Sequence, residues 1–259
     1  MERIIEILNS CGINRVGFCT YEGVKNALLP CRNSARLPQN SKTVICAVFP
    51  YRVESAPPKN ISRYAATKDY HLVCGEMLNT AAEKLKALFP ENAFEPFIDN
   101  SPINEVLALS KTGLGRVGQN GLFIDDRFGS FVFLGEIVTD LDLKIADHSP
   151  THCLGCGKCK AACPVGLKNE DCLSKITQQK GELSAEQQAV IKKSGCVWGC
   201  DICSEVCPEN NGKDLTDIAE FISSYRSCFS PTEDFCDRAY TWRGGKVILR
   251  NYEIIKNGK

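Results

Sequence analysis

The feature that most constrains this chain is a set of cysteines at fixed short spacing. Cys153-x2-Cys156-x2-Cys159-x3-Cys163-Pro164 is followed by Cys200-x2-Cys203-x3-Cys207-Pro208. Of 16 cysteines in 259 residues, nine fall between Cys153 and Cys207. A segment that dense in thiols has few apolar residues left for a core, so its fold must be organised by what the thiols hold. Two residues between thiolates let one tight turn aim both sulfurs at a single metal centre while the turn's amides donate to them. Gly155, Gly157 and Gly199 supply backbone freedom at those turns. Cys11, Cys19, Cys31, Cys46 and Cys74 are scattered through apolar or mixed segments and read as small buried hydrophobes.

The x2, x2, x3-Cys-Pro run is the spacing of bacterial two-cluster ferredoxins, in which the fourth cysteine ligates the other [4Fe–4S] cluster. Crossed ligation assigns Cys153, Cys156, Cys159 and Cys207 to one cluster. Cys163, Cys200 and Cys203 go to the second. Its remaining ligand is Cys172 or Cys196, and spacing leaves the two open. Structural zinc sites use isolated CxxC pairs separated by about 15–20 residues, a poor match to three cysteines in seven residues. His152 abuts the run and reads as a neighbour of the site rather than a ligand.

Outside this segment the chain is ordinary. Apolar residues make up 43%, and the 31 basic and 31 acidic residues cancel. No global basic field recruits nucleic acid. Met1 to Leu8 alternates charged and apolar residues, the pattern of an amphipathic helix rather than a signal peptide. No run approaches the roughly 18 apolar residues of a membrane span. A cytoplasmic protein with no membrane partner is the expectation, and disulfides are not expected.

The first half reads as mixed helix and strand. Helices are predicted over 2–10, 70–89 and 104–111, and strands over 14–19, 43–49, 94–98, 121–124 and 131–138. Pro30 to Pro38 and Pro57-Pro58 mark loops. The expected fold class is α+β. A layered α/β sheet domain over 1–147 precedes a ferredoxin-like double-cluster domain over 148–212, with a helix over 184–193, and a C-terminal helical tail over 213–259. The tail's end is basic, with Arg243, Lys246, Arg250, Lys256 and Lys259 against Glu253. Gly113-Leu-Gly115-Arg-Val-Gly118 matches the dinucleotide fingerprint letter for letter. That fingerprint needs a strand before it and a helix after it; here the order is reversed, so the glycines are expected to make a turn or admit something flat.

Several segments share one pattern. His152 to Cys163 goes with Cys172-Leu-Ser174, and with Gly199-Cys200-Asp201-x-Cys203-x3-Cys207-Pro208-x-Asn210. Further segments are Arg63-Tyr64-Ala65-x3-Asp69-Tyr70-His71, Asp99-x2-Pro102-x2-Glu105 and Gly113-Leu-Gly115-x2-Gly118-x-Asn120. With Gly129-Ser130-x3-Leu134-Gly135-Glu136-Ile137 and Arg250-Asn251, this ordered set resembles one family, the epoxyqueuosine reductases. Four departures stand out. Thr67 replaces a glycine, Val106 an arginine and Gln119 a lysine. The family's helical repeat domain, which grips tRNA, is expected to be absent because the chain ends soon after Arg250-Asn251.

The resemblance implies a cobalamin-dependent iron–sulfur reductase of queuosine biosynthesis, acting on an epoxide in tRNA or a related substrate. It implies two [4Fe–4S] clusters, a cobalamin in the α/β domain, and Cys172 as the eighth ligand. Asp99 matches the family's proton donor. Tyr64, Asp69, Tyr70, His71, Gly115, Gly118, Asn120 and Ser130 are the residues expected to line the cofactor or substrate pocket. An electron donor protein of flavodoxin or ferredoxin type is the expected partner, with tRNA a further one. Two other functions fit the same residues. One is a corrinoid iron–sulfur reductase with a different small-molecule substrate, an architecture that reductive dehalogenases resemble too. The other is a non-catalytic electron carrier, which needs neither Asp99 nor a pocket.

Overall fold

The computed structural model describes the chain except residues 55–58, 169–170, 233, 235 and 258–259. The loop marked by Pro57-Pro58 and the terminal Lys259 lie outside the described residues. The chain divides into two compact units, Met1–Pro50 with Tyr70–Gly155 and Tyr51–Asp69 with Cys156–Lys259.

The first unit contains α1 (Glu2–Ser10), β1 (Val16–Thr20), β2 (Thr43–Pro50), α3 (Tyr70–Leu88), β3 (Phe94–Ile98), α4 (Glu105–Ser110), β4 (Gly115–Val117), β5 (Phe123–Asp125) and β6 (Val132–Thr139). The second contains α2 (Arg63–Ala66), α5 (Lys158–Ala162), α6 (Leu173–Gln178), α7 (Ala185–Ser194), α8 (Ile202–Glu205), α9 (Ala219–Ser224) and α10 (Gly245–Lys256).

In the first unit a four-stranded sheet runs β1-β2-β6-β3, antiparallel throughout. Every residue of β2 is buried, which is why Thr43–Pro50 is almost uninterrupted apolar sequence: a central strand covered on both faces shows no polar alternation. One face packs on α3, and Gly135 is what lets it. A Cβ there would come within 2.8 Å of Leu78 Cδ1. The other face packs on α4, with Val44, Cys46, Val48, Phe97, Val138, Ala108 and Leu109 in one apolar cluster. Asn104 caps α4, its side chain accepting the Leu107 N–H. Cys19, Cys46 and Cys74 are buried, whereas Cys11 and Cys31 are half-buried.

The glycine-rich run 113–118 forms no dinucleotide loop. It enters β4, which pairs with β5 in a two-stranded ribbon. A Cβ on Gly115 would lie 2.1 Å from the Ile124 carbonyl oxygen, and one on Gly118 would lie 2.4 Å from Asn120 Oδ1. The ribbon's own atoms fill the space beside both glycines.

The second unit has short helices and no strand of its own among the described residues. An apolar cluster joins Ile61, Ala65 and Ala66 to Val197, Trp198, Phe229, Tyr240, Val247 and Ile248. That packing takes residues 51–69 out of the sheet domain expected over 1–147, and it leaves no separate tail over 213–259. At the other boundary Asp147 is held by Thr20, whose N–H donates to Oδ1 at 2.7 Å. The Val117 N–H donates to Thr151 and the Cys153 N–H to Val117. The first unit therefore continues to Gly155 rather than ending at Asp147. Among the described residues no helix is long and apolar enough to cross a membrane.

Candidate functional site

Asp99 follows β3 and has a φ of 59°, the left-handed region that non-glycine residues rarely adopt. The carbonyl of Asp99 accepts the Ser101 N–H across this turn. The turn presents the Asp99 carboxylate to the first two residues of α3. His71 Nε2 lies 3.3 Å from Asp99 Oδ2, and the Tyr70 hydroxyl also bonds the carboxylate. The Tyr70 ring stacks on Phe133 with centroids 4.2 Å apart and contacts the His71 ring at 4.1 Å, which fixes both donors. The hydrogen bond from His71 is the largest influence on the Asp99 carboxyl; it and Tyr70 outweigh burial and hold it below the usual carboxylate range. The N-terminal end of a 19-residue helix favours the same charge. An ionised carboxylate only accepts, so His71 Nε2 donates in this contact. Asp99 is 60% and His71 37% exposed at the side chain; the pair sits at the surface of its unit, open to a substrate.

The other residues expected around the pocket fall in both units. Tyr64 and Asp69 belong to the second unit. The Tyr64 hydroxyl accepts from Gln178 Nε2 at 3.2 Å, and burial pushes the phenol up. The Asp69 N–H donates to Asp237. Gly115 and Gly118 serve the β4–β5 ribbon, Asn120 accepts the Leu122 N–H within the turn, and Ser130 is buried beside β6.

The cysteines meet better-organised surroundings. In the first unit the Gln119 N–H donates to Cys153 Sγ at 3.3 Å, the amide-to-sulfur contact that a ligating thiolate needs. In the second unit Gly157, with φ 73°, precedes α5, which carries Cys159. Cys203 sits on α8, and α5 packs on α8. Cys163 and Cys207 end these two helices, their N–H groups bonded back to Cys159 and Ser204. Gly199 is irreplaceable at φ 74°, since a Cβ would lie 2.0 Å from Ser62 Oγ. Asp201 accepts the Arg63 N–H at 2.7 Å, with burial pushing its carboxyl up to about 6.

Cys172 and Cys196 differ in what they touch. Cys196 Sγ donates to the carbonyls of Trp198 at 3.2 Å and Gly199 at 3.5 Å, and burial pushes its thiol up to about 12. That sulfur is engaged with two backbone carbonyls. Burial also pushes Cys200 up, to about 11, and Cys203 and Cys172 are among the groups whose charge adds to the shift. Cys172 lines a cavity of about 430 Å³ with Lys175, Lys180 and Arg243. Among the described residues no three His, Cys, Asp or Glu side chains are gathered to hold a single ion. A four-iron cluster takes one thiolate per iron and does not require that gathering.

Arg250-Asn251, quoted above among the family motifs, is structural. Asn251 is fully buried and donates to the carbonyls of Thr177 and Val197 at 2.7 and 2.8 Å. Arg250 donates to Asn251 Oδ1 and to the carbonyls of Gln179 and Gly181.

The model of a family described as "Epoxyqueuosine reductase QueG, DUF1730" matches residues 32–100. An epoxyqueuosine reductase of Lactococcus garvieae (strain Lg2) is 30% identical over 242 residues, covering 82% of this chain and 68% of that protein. One from Gloeobacter violaceus is 34% identical over 180 residues, covering 65% of this chain and 56% of that protein. A crystal structure of epoxyqueuosine reductase with a tRNA-Tyr epoxyqueuosine-modified stem loop superposes with a TM-score of 0.82 at 25% identity, over 99% of this chain and 80% of that one. The chain spans 56% to 68% of the length of these two curated relatives. It belongs to the epoxyqueuosine reductase family.

Proposed function

We propose that this chain is a reductase that opens an epoxide, with two [4Fe–4S] clusters feeding electrons to a corrinoid and with Asp99 and His71 handling the proton. The observation that carries the reading is the Asp99–His71 contact at 3.3 Å at the head of α3, in a chain of this family. Opening an epoxide leaves an alkoxide that needs a proton before water can be lost. Asp99 is the acceptor in the resting contact, so the proton between them resides on His71 Nε2. Asp99 then acts as the relay to the substrate oxygen rather than as a standing acid, and Tyr70 orients it.

The clusters are assigned to Cys153, Cys156, Cys159 and Cys207, and to Cys163, Cys172, Cys200 and Cys203. The amide at Cys153 Sγ and the packed α5–α8 pair support this set, and the carbonyl-bound thiol of Cys196 supports Cys172 in the last place. A corrinoid would supply a strongly reducing metal centre. Family membership and the Asp99 group support it. The cations Lys175, Lys180 and Arg243 beside Cys172 suit an acidic electron donor of flavodoxin or ferredoxin type. An epoxide-bearing tRNA stem loop is the proposed substrate, because a relative has been seen with one.

The test is reduction of an epoxyqueuosine-containing stem loop by the reconstituted protein with cobalamin and a chemical reductant. Asp99→Asn is expected to abolish turnover while iron content and cobalamin binding, read by absorption, are unchanged. Normal turnover by that variant removes Asp99 from the mechanism. Bound iron without cobalamin uptake or turnover would instead favour a plain electron carrier.

A further inference from the structure

Behind Asp99, the sheet face that packs on α4 carries a polar group inside an apolar layer. Antiparallel register sets Cys46 opposite Glu136 and Glu136 opposite Phe97, so the three share one face. Cys19 joins them, two residues beyond the Gly17 that pairs with Cys46. Glu136 is 1% exposed. Its Oε1 accepts the Ser101 hydroxyl, which in turn accepts the Ile103 N–H at 3.0 Å. Glu105, the first residue of α4, accepts the backbone N–H of Asp99, while its Oε1 is buried with no hydrogen-bond partner.

A buried carboxylate with an orphaned oxygen is costly, and a second ionised carboxylate in the same dry layer costs more. A proton retained by the pair relieves that cost, since a protonated carboxyl is a donor. The three carboxyls have opposite tendencies. His71 and Tyr70 keep the outer one, Asp99, ionised. Burial pushes Glu136 up to about 8, and burial followed by the charges of Glu136 and Asp99 pushes Glu105 up as well. The other groups facing the pair are Ser101 and the thiols of Cys46 and Cys19. Contact with Cys19 and burial push the Cys46 thiol up, so it adds no negative charge.

We infer that the buried carboxyls Glu105 and Glu136 retain a proton inside the core and act as positioning residues, Glu105 holding the backbone of the left-handed Asp99 turn while the retained proton limits the negative charge beneath it. The strained φ at Asp99 is then held from inside by one acceptor, and the turn's geometry depends on the protonation of a pair that solvent does not reach.

Three measurements on the full chain test this. Infrared spectra at neutral pH are expected to show a protonated glutamic acid carbonyl band that Glu136→Gln removes and Glu105→Gln shifts. Glu105→Leu deletes the acceptor for the Asp99 amide, so the ring titration of His71, followed by NMR, is expected to fall by about half a pH unit or more as its carboxylate partner loosens. The same variant is expected to lose about tenfold or more in kcat at unchanged KM, whereas Glu105→Gln, which keeps an acceptor oxygen, stays within about threefold. The turnover arm rests on the role given to Asp99 above; the infrared and NMR arms do not. A chain with the band and the His71 shift but no epoxide reduction overturns that role and supports the pair. Absence of the band overturns the pair, as does a Glu105→Leu variant with wild-type His71 titration. Should Glu105→Leu fail to fold, the band in the unmodified chain and its response to the two glutamine variants decide alone.

Discussion

The two units use different means to hold their chain in place. The first has a continuous antiparallel sheet covered by helices, so its central strands are satisfied by a regular ladder and its core is largely apolar. The second has helices of four to twelve residues and depends on side chains that satisfy loop backbone. Asn60 brackets Phe229 through both its amide atoms. Asn210 donates to Ser204, Arg238 to Ala66, and Asn251 to two carbonyls. Helices that short are not stable alone. The first unit is a scaffold that solvent exclusion builds, and the second, under the cluster assignment proposed above, is one that its ligated thiols help to hold.

Iron removal tests this contrast most severely. Reconstituted protein is expected to bind about eight irons per chain. Stripping them anaerobically should collapse hydrogen-exchange protection over α5 to α8 while the β1-β2-β6-β3 amides keep theirs. Equal loss in both units would break the contrast, and zinc in place of iron would sink the cluster assignment. Within the second unit, Cys172→Ser is expected to cost about four irons and Cys196→Ser none. The reverse result would move the eighth ligand to the thiol that now bonds the carbonyls of Trp198 and Gly199.

The next contrast is between two asparagines. Asn251→Ala orphans two buried carbonyls at once and should cost about 2–4 kcal/mol, read from the denaturant midpoint of the cluster-loaded protein. Asn104→Ala removes only the α4 cap, worth about 1 kcal/mol. Similar losses for the two would mean that the second unit has redundancy the geometry does not display.

The first unit was largely legible in sequence for the same reason that it is stable. Runs such as Thr43–Pro50 and Phe94–Ile98 are patterned by burial, and burial is written residue by residue. The missed strand is β4, because Gly115 and Gly118 are chosen to clear the ribbon's own carbonyl and amide atoms and show no apolar alternation. In the second unit, spacing alone could display the cysteine runs. The capture of residues 51–69 could not be read, because it rests on contacts such as Ile61 and Ala65 with Trp198, more than a hundred residues apart. Asp99 was found by resemblance, and its partner His71 stood among the residues expected at the pocket. Glu105 and Glu136 stood inside family motifs, but nothing local marks them as members of one buried layer. Only the register across β2, β6 and β3 brings their face together, although a glutamate inside the apolar run of β6 was the one available hint.

The last contrast turns on that glutamate and separates the units by pH. Glu136 ordinarily titrates near 4.5 and is pushed to about 8 in the fold. Between those values the unfolded chain has released the proton that the folded chain keeps. Stability from this group is therefore full below about pH 4.5 and is lost as pH rises through about 8, with a slope on the order of 1 kcal/mol per pH unit. Glu136→Gln cannot ionise and should flatten the slope in that window, read from midpoints of the first unit's exchange or melting. Asp99 works in the opposite sense. Its lowered carboxyl favours the fold above the usual carboxylate range and loses that contribution only on acidification, and its exposure keeps the effect small. A declining slope from pH 5 to 8 that survives in Glu136→Gln would have to come from Glu105, which burial also pushes up, or from the second unit. The second unit supplies one candidate, Asp201, pushed up to about 6, whose contribution would be spent by about pH 6. Loss concentrated below pH 6 therefore points to Asp201, and loss continuing to pH 8 points to the carboxyl behind Asp99.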